Sequence, residues 1–227
     1  VELKRLILEG QNLSFDALPA RSGDLEFTVL GKRLSSALGV NALTNDVMRT
    51  LGLLDGDAFT NAAALLADEN AFSGIDMAKF GADHDTILDR ETVKGVSVIA
   101  QFDRAIAFFE RYCEYEAIDG ATRVLVERIP KKAFREAVAN ALAHRTWDVD
   151  ACVRILLSDD NAEIVSPGGL VPGMTKEAYL EGRFSLLRNP VLAESMFRAG
   201  LIEKFGTGVR RIRRAYEGTG SSPSFEV

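Results

Sequence analysis

Apolar residues recur at helical spacing over Asp24 to Leu38 and again over Asn45 to Leu54. Each stretch opens on an Asp or Asn, whose side chain can accept from the unpaired amides of a first turn, so two helices are expected there. Asp55-Gly56 is a turn signal, and Ala71 to Phe80 has the mixed pattern of an extended segment. A long amphipathic pattern over Val96 to Glu116 repeats its apolar face at Val98, Phe102 and Ile106. Asp119-Gly120 closes that segment and the texture changes, which places a boundary between a mixed α+β connecting segment, 1–118, and a second domain, 119–227.

Beyond the boundary the pattern predicts an extended segment at Thr122 to Glu127 and a helix opened by Pro130, which loses nothing by lacking an amide hydrogen in a first turn. Two strands follow, Cys152 to Leu157 and Ala162 to Val165, joined by a turn at Asp159 to Asn161. A Pro- and Gly-rich loop spans Ser166 to Gly173, before short helices around Lys176 to Glu181 and Val191 to Arg198 and a last one from Val209 to Tyr216. This order predicts an α+β fold with helices laid on one face of a mainly antiparallel sheet.

In the helix Pro130 to Arg145, Glu136, Asn140 and His144 fall at i, i+4 and i+8 and share a stripe. Ala133, Ala137, Ala139 and Ala143 flank the stripe, while Phe134, Val138 and Leu142 take the opposite, core-facing side. Small neighbours leave room for another group to approach. A carboxylate one turn from a carboxamide suits hydrolytic chemistry, the carboxylate as general base and the amide oxygen as ligand to a hard cation such as Mg²⁺. A solvated face on an Ala-rich helix has the same pattern.

Composition narrows the classes. The 227 residues are 47% hydrophobic and 26% charged, enough apolar content for a substantial core. A net charge of -6 and a pI of about 5.1 mean that nucleic-acid binding would need a local basic patch or another part of the protein. Cys113 and Cys152 lie far apart without the spacing of a zinc site, and together with the lack of a signal peptide they point to a reducing, cytoplasmic setting. No apolar run reaches the length of a membrane span. No phosphate loop of the form G-x-x-x-x-G-K-[ST] occurs, so a helicase motor is not encoded here, and no G-x-S-x-G nucleophile elbow is present. The start at Val1 and the extended Phe225-Glu226-Val227 suggest a fragment of a longer protein.

Four ordered passages carry a resemblance: Ile129 to Arg145 (IPKKAFREAVANALAHR), Glu163 to Leu170 (EIVSPGGL), Arg188 to Ala193 (RNPVLA) and Gly200 to Ile212 (GLIEKFGTGVRRI). Together they resemble a divergent branch of the GHKL, or Bergerat-fold, ATPases that accompanies Schlafen/AlbA-type domains in bacterial transcriptional regulators and has been labelled "ATP-dependent DNA helicase-related". The likeness is strong over 120–227 and weaker over 14–116, where Thr60 to Leu66 (TNAAALL) resembles a motif of the preceding segment. The resemblance implies a Bergerat-type α/β sandwich over 119–227, ATP with Mg²⁺ as cofactors, and DNA contacted through domains outside this chain, with a second copy as a candidate partner. It makes Glu136 the general base and Asn140 the magnesium ligand. It places Ser166, Gly168 and Gly169 where the superfamily has its first glycine box, here without the adenine-contacting Asp, and Gly206, Thr207 and Gly208 near the phosphates.

Each motif also has a plain structural reading. Pro-Gly-Gly permits a tight corner, Gly206 and Thr207 suit the end of one helix and the cap of the next, and an Arg before Asn-Pro is commonly a loop residue bonded to backbone carbonyls. Lys204, Arg210, Arg211, Arg213 and Arg214 form a basic cluster open to phosphate, to nucleic acid or to helix C-termini. Two functions follow: a regulatory module that binds ATP-Mg with slow or absent hydrolysis, or a ligand-free Bergerat scaffold for protein interaction or dimerisation.

Overall fold

The computed structural model describes residues 10, 13–21, 23–39, 42–82, 85–120, 122–182, 186–203 and 208–227. It is an α+β fold whose centre is a four-stranded mixed sheet. After a short 3-10 turn at Phe15–Ala17 come helices α1 (Thr28–Leu38) and α2 (Asn45–Thr50), the small hairpin β1 (Leu54–Asp55) with β2 (Ala58–Phe59), and helix α3 (Asn61–Leu66). Strands β3 (Ile75–Phe80) and β4 (Ile87–Val93) lead into α4 (Val98–Cys113), the ribbon β5 (Glu114–Asp119) with β6 (Thr122–Glu127), and α5 (Lys131–His144). Strands β7 (Val153–Leu157) and β8 (Ala162–Val165) then precede α6 (Lys176–Glu181), α7 (Pro190–Arg198) and α8 (Gly208–Ala215).

The sheet order is β4-β3-β7-β8. Its outer pairings are antiparallel, as expected, but β3 and β7 run parallel, with Ile75 against Val153 and Lys79 against Leu157. Alternation sorts the side chains: Ile75, Met77, Val153, Ile155 and Leu157 are buried on one face, where α4 and α5 pack. Phe109 of α4 stacks on Phe134 of α5 with centroids 4.3 Å apart. As the helical period requires, Phe134, Val138 and Leu142 are buried. One hydrophobic cluster joins these residues to Leu30, Leu34, Leu65 and Leu66 in the N-terminal helices. The sheet therefore takes two strands from each side of residue 118.

Several local readings change. The first helix begins at Thr28 rather than Asp24, because Asp68 caps it from a distance: its carboxylate accepts from the amides of Thr28 (2.7 Å) and Val29 (2.8 Å). The second helix is capped by Thr44, stops at Thr50, and leaves Leu54 to the hairpin. The long helix ends at Cys113, and Glu114 opens a strand without an intervening loop. Strand β4 and the buried helix α3 were not expected. Among the described residues no helix is long and apolar enough to cross a membrane.

Candidate functional site

The site is built on α5. The Glu127 carboxylate accepts from the Lys131 amide at 2.9 Å and satisfies one of the free donors at the start of that helix. On the stripe, Asn140 donates from Nδ2 to Glu136 Oε1 at 3.4 Å. The Glu136 side chain is only 13% exposed, and its Oε2 lies 3.5 Å from the Arg211 guanidinium of α8. Burial raises the Glu136 pKa above the ordinary carboxylate value, against the opposing pull of Arg211 and the hydrogen bond from Asn140.

Helix α8 begins directly against this pair. A Cβ at Gly208 would overlap Asn140 Nδ2 and come within 3.0 Å of Glu136 Oε1, so the close approach needs glycine. The group admitted by the small residues on α5 is thus the backbone of α8. Lys204, Gly206 and Thr207 lie outside the described residues.

The other end of α5 is stitched to the corner after β8. Ser166 Oγ donates to the Ala141 carbonyl at 2.8 Å, and the Thr146 amide donates to the Pro167 carbonyl at 3.0 Å. Gly168 has φ of 109°, and a Cβ there would overlap the Thr146 hydroxyl. Arg188 spans the junction, donating from Nε to the His144 carbonyl at 3.0 Å and from its terminal nitrogen to the Gly169 carbonyl at 2.8 Å. Asn189 donates to the carbonyls of Ala143 and Arg145, each at 2.8 Å. The Arg-Asn-Pro passage is therefore a clamp on the end of α5, the structural reading of that motif.

Between α5, this corner, α6 and α8 lies a cavity of about 540 Å³. Asn140, Ser166, Gly168, Gly169 and Gly208 all line it, drawn from three separate stretches of sequence, and His144 joins them. Glu136 does not line it and lies behind Asn140 and Gly208, which do. Burial, with the Arg188 charge added, holds the His144 pKa below its ordinary value.

Sequence reasoning missed the outer wall. Tyr179 of α6 and the segment Ser221 to Val227 line the cavity, with Phe225 edge-on to Tyr179 at 6.4 Å and the Arg213 guanidinium 5.5 Å from the Phe225 ring. The basic cluster on α8 is largely committed to its surroundings. Arg210 donates to the Glu181 carbonyl at 3.0 Å and Arg213 to the Leu180 carbonyl at 2.9 Å, where the C-terminus of α6 carries negative partial charge. Arg211 is held by Glu203 at 2.5 Å and by Glu136. The signal for these roles was the basic run itself, but its targets are set by tertiary packing.

The fold has a counterpart in the crystal structure of the DIP2311 protein from Corynebacterium diphtheriae, with a TM-score of 0.78 and 24% identity. That match covers 95% of this chain and 46% of the other, so the present chain spans less than half the length of that protein. No curated protein matches. Residues 150–226 match the family model described as "Putative ATP-dependent DNA helicase recG C-terminal", a stretch that contains the corner, α6, α7 and α8 but stops short of α5. The C-terminal segment of the chain is therefore ATPase-like.

Proposed function

We propose that the chain is a regulatory nucleotide-binding module that takes ATP with Mg²⁺ in the cavity against α5 and turns it over slowly or not at all. The observation that carries this reading is the cavity itself. Five residues expected at a nucleotide site from their motifs line one space of about 540 Å³, within the usual range for small-molecule sites. The ATPase-like match over 150–226 supports the same class of ligand.

The residues fit the group. Asn140 spends its amide nitrogen on Glu136, which leaves the oxygen as the ligand atom for a hard cation, and Mg²⁺ needs only one or two protein ligands beside phosphate oxygens and water. When bound, Mg²⁺ would neutralise phosphate charge. The amide end of α8 at Gly208 adds a favourable field for an anion. Glu136 is poorly placed for rapid hydrolysis, since it lies off the cavity wall and is paired with Arg211. Binding is therefore ranked above turnover. A module of this kind would act within a DNA-binding transcriptional regulator whose DNA contacts lie outside this chain, by favouring one of two conformations when loaded.

Isothermal titration with ATP, ADP and a non-hydrolysable analogue, with and without Mg²⁺, tests this beside Asn140→Ala. The expected outcome is magnesium-dependent binding weakened at least about tenfold in the variant, the scale of losing one charge-assisted contact. Absence of heat for every ligand at high protein concentration would reject the reading. It would leave the ligand-free scaffold, which one observation favours: the Gly208 backbone and Arg211 already press on the Glu136 and Asn140 pair.

A further inference from the structure

The ribbon β5–β6 stands apart from the main sheet. Its six residue pairs, from Glu114 against Glu127 to Asp119 against Thr122, form a two-stranded sheet of their own. A ribbon of this size is marginal in water, and each outer edge offers a row of backbone donors and acceptors to another strand. Ile118 is 80% exposed and Tyr115 46%, while Thr122, Arg123 and Glu127 are also exposed.

The two edges differ in charge. Strand β5 carries Glu114 and Glu116 and no basic residue, so bringing two β5 edges together sets like charges side by side. Strand β6 carries Arg123 and Glu127, four positions apart and opposite in sign. Side chains at this spacing lie on one face, which the pairing register shows they share with Glu114, Glu116 and Ile118. On that face Arg123 already reaches Glu116 at 3.4 Å.

We propose that the β6 edge is a dimerisation edge, where β6 pairs antiparallel with β6 of a second copy about a two-fold axis at residue 125. That register sets Arg123 of each copy directly across from Glu127 of the other, because the two positions are equidistant from the axis. Arg123 then lies between Glu116 of its own ribbon and Glu127 of the second copy, the position where Glu127 otherwise has only Glu114 of its own ribbon across from it, and two ribbons become one four-stranded antiparallel sheet. The occupant is a second copy because the edge is complementary to itself. The inference stands whether or not the cavity takes nucleotide.

Charge reversal tests it: Glu127→Arg also removes the acceptor of the Lys131 amide at the start of α5, but recovery on mixing the two variants is a readout that a folding defect does not imitate. In sedimentation equilibrium the chain is expected to form a dimer, with the outward-facing amides of β6, every second one along the strand, gaining hydrogen-exchange protection as concentration rises. Arg123→Glu and Glu127→Arg each set like charges across the axis and are expected to weaken the dimer about tenfold. Mixing the two variants restores opposite charges at both positions, so a heterodimer at least as tight as the wild-type dimer is expected. A chain that stays monomeric at every concentration overturns the proposal, as does a dimer that ignores both reversals or variants that fail to recombine.

Discussion

At the scale of single residues, Glu136 is the most informative position. Its carboxylate is buried, and although Arg211 and Asn140 favour the charged form, burial prevails and the pKa rises. A raised folded-state pKa in an acid means that the charged form opposes folding: the stabilising contribution is complete below the ordinary carboxylate pKa and is lost as pH climbs through the raised value. Glu136→Gln is therefore expected to be more stable than wild type at neutral pH, with the difference shrinking toward pH 4. Urea midpoints across that range would show it, and a variant less stable at neutral pH would mean that the Arg211 contact outweighs burial. The shared stripe of Glu136 and Asn140 was legible because helical spacing is a local property. That α8 would start against them and supply Arg211 was not, since no local pattern encodes which helix packs on which.

At the scale of elements, α5 shows how the helix behind the candidate site is held at both ends by other parts of the chain. The last carbonyls, at Ala143, His144 and Arg145, are all taken by Arg188 and Asn189. Asn189 is buried, so Asn189→Ala would strand two carbonyls away from water and is expected to cost about 2–3 kcal/mol, read as a lower urea midpoint with an unchanged slope. A loss under about 0.5 kcal/mol, the lower end for one such bond, would mean that water replaces the amide. Most helices and three of the main-sheet strands were legible in outline, because amphipathic periods and turn residues are strong local signals. Strand β4 was not: Ile87 to Val93 is charge-rich, and its apolar residues do not alternate. Helix α3 was missed for the opposite reason. Its six residues are buried all round, so it has no polar face to set a period.

At the scale of the whole molecule, the division drawn at residue 118 rests on texture, whereas the sheet pairs β3 with β7 across it and one core cluster spans both sides. Cooperative unfolding as one unit is therefore expected. The single tryptophan, Trp147, is a convenient probe, being buried with its indole nitrogen donating to the Leu142 carbonyl at 3.2 Å. Its fluorescence and the far-ultraviolet dichroism should change at the same urea concentration. Separate transitions, with 119–227 folding alone, would establish two units. The parallel pairing was illegible because two strands far apart in sequence leave no joint local signature, while the neighbouring hairpins do. The same pairing also sets an order on folding. Ile75 meets Val153 only after a loop of about 80 residues has closed, a non-local step of the kind that slows folding. On the ribosome, β3 and β4 emerge well before β7, and until β7 arrives the inner edge of β3 is an open template for other nascent chains. Slower synthesis or added chaperone is then expected to raise the yield of folded protein, an effect that equilibrium stability alone does not set.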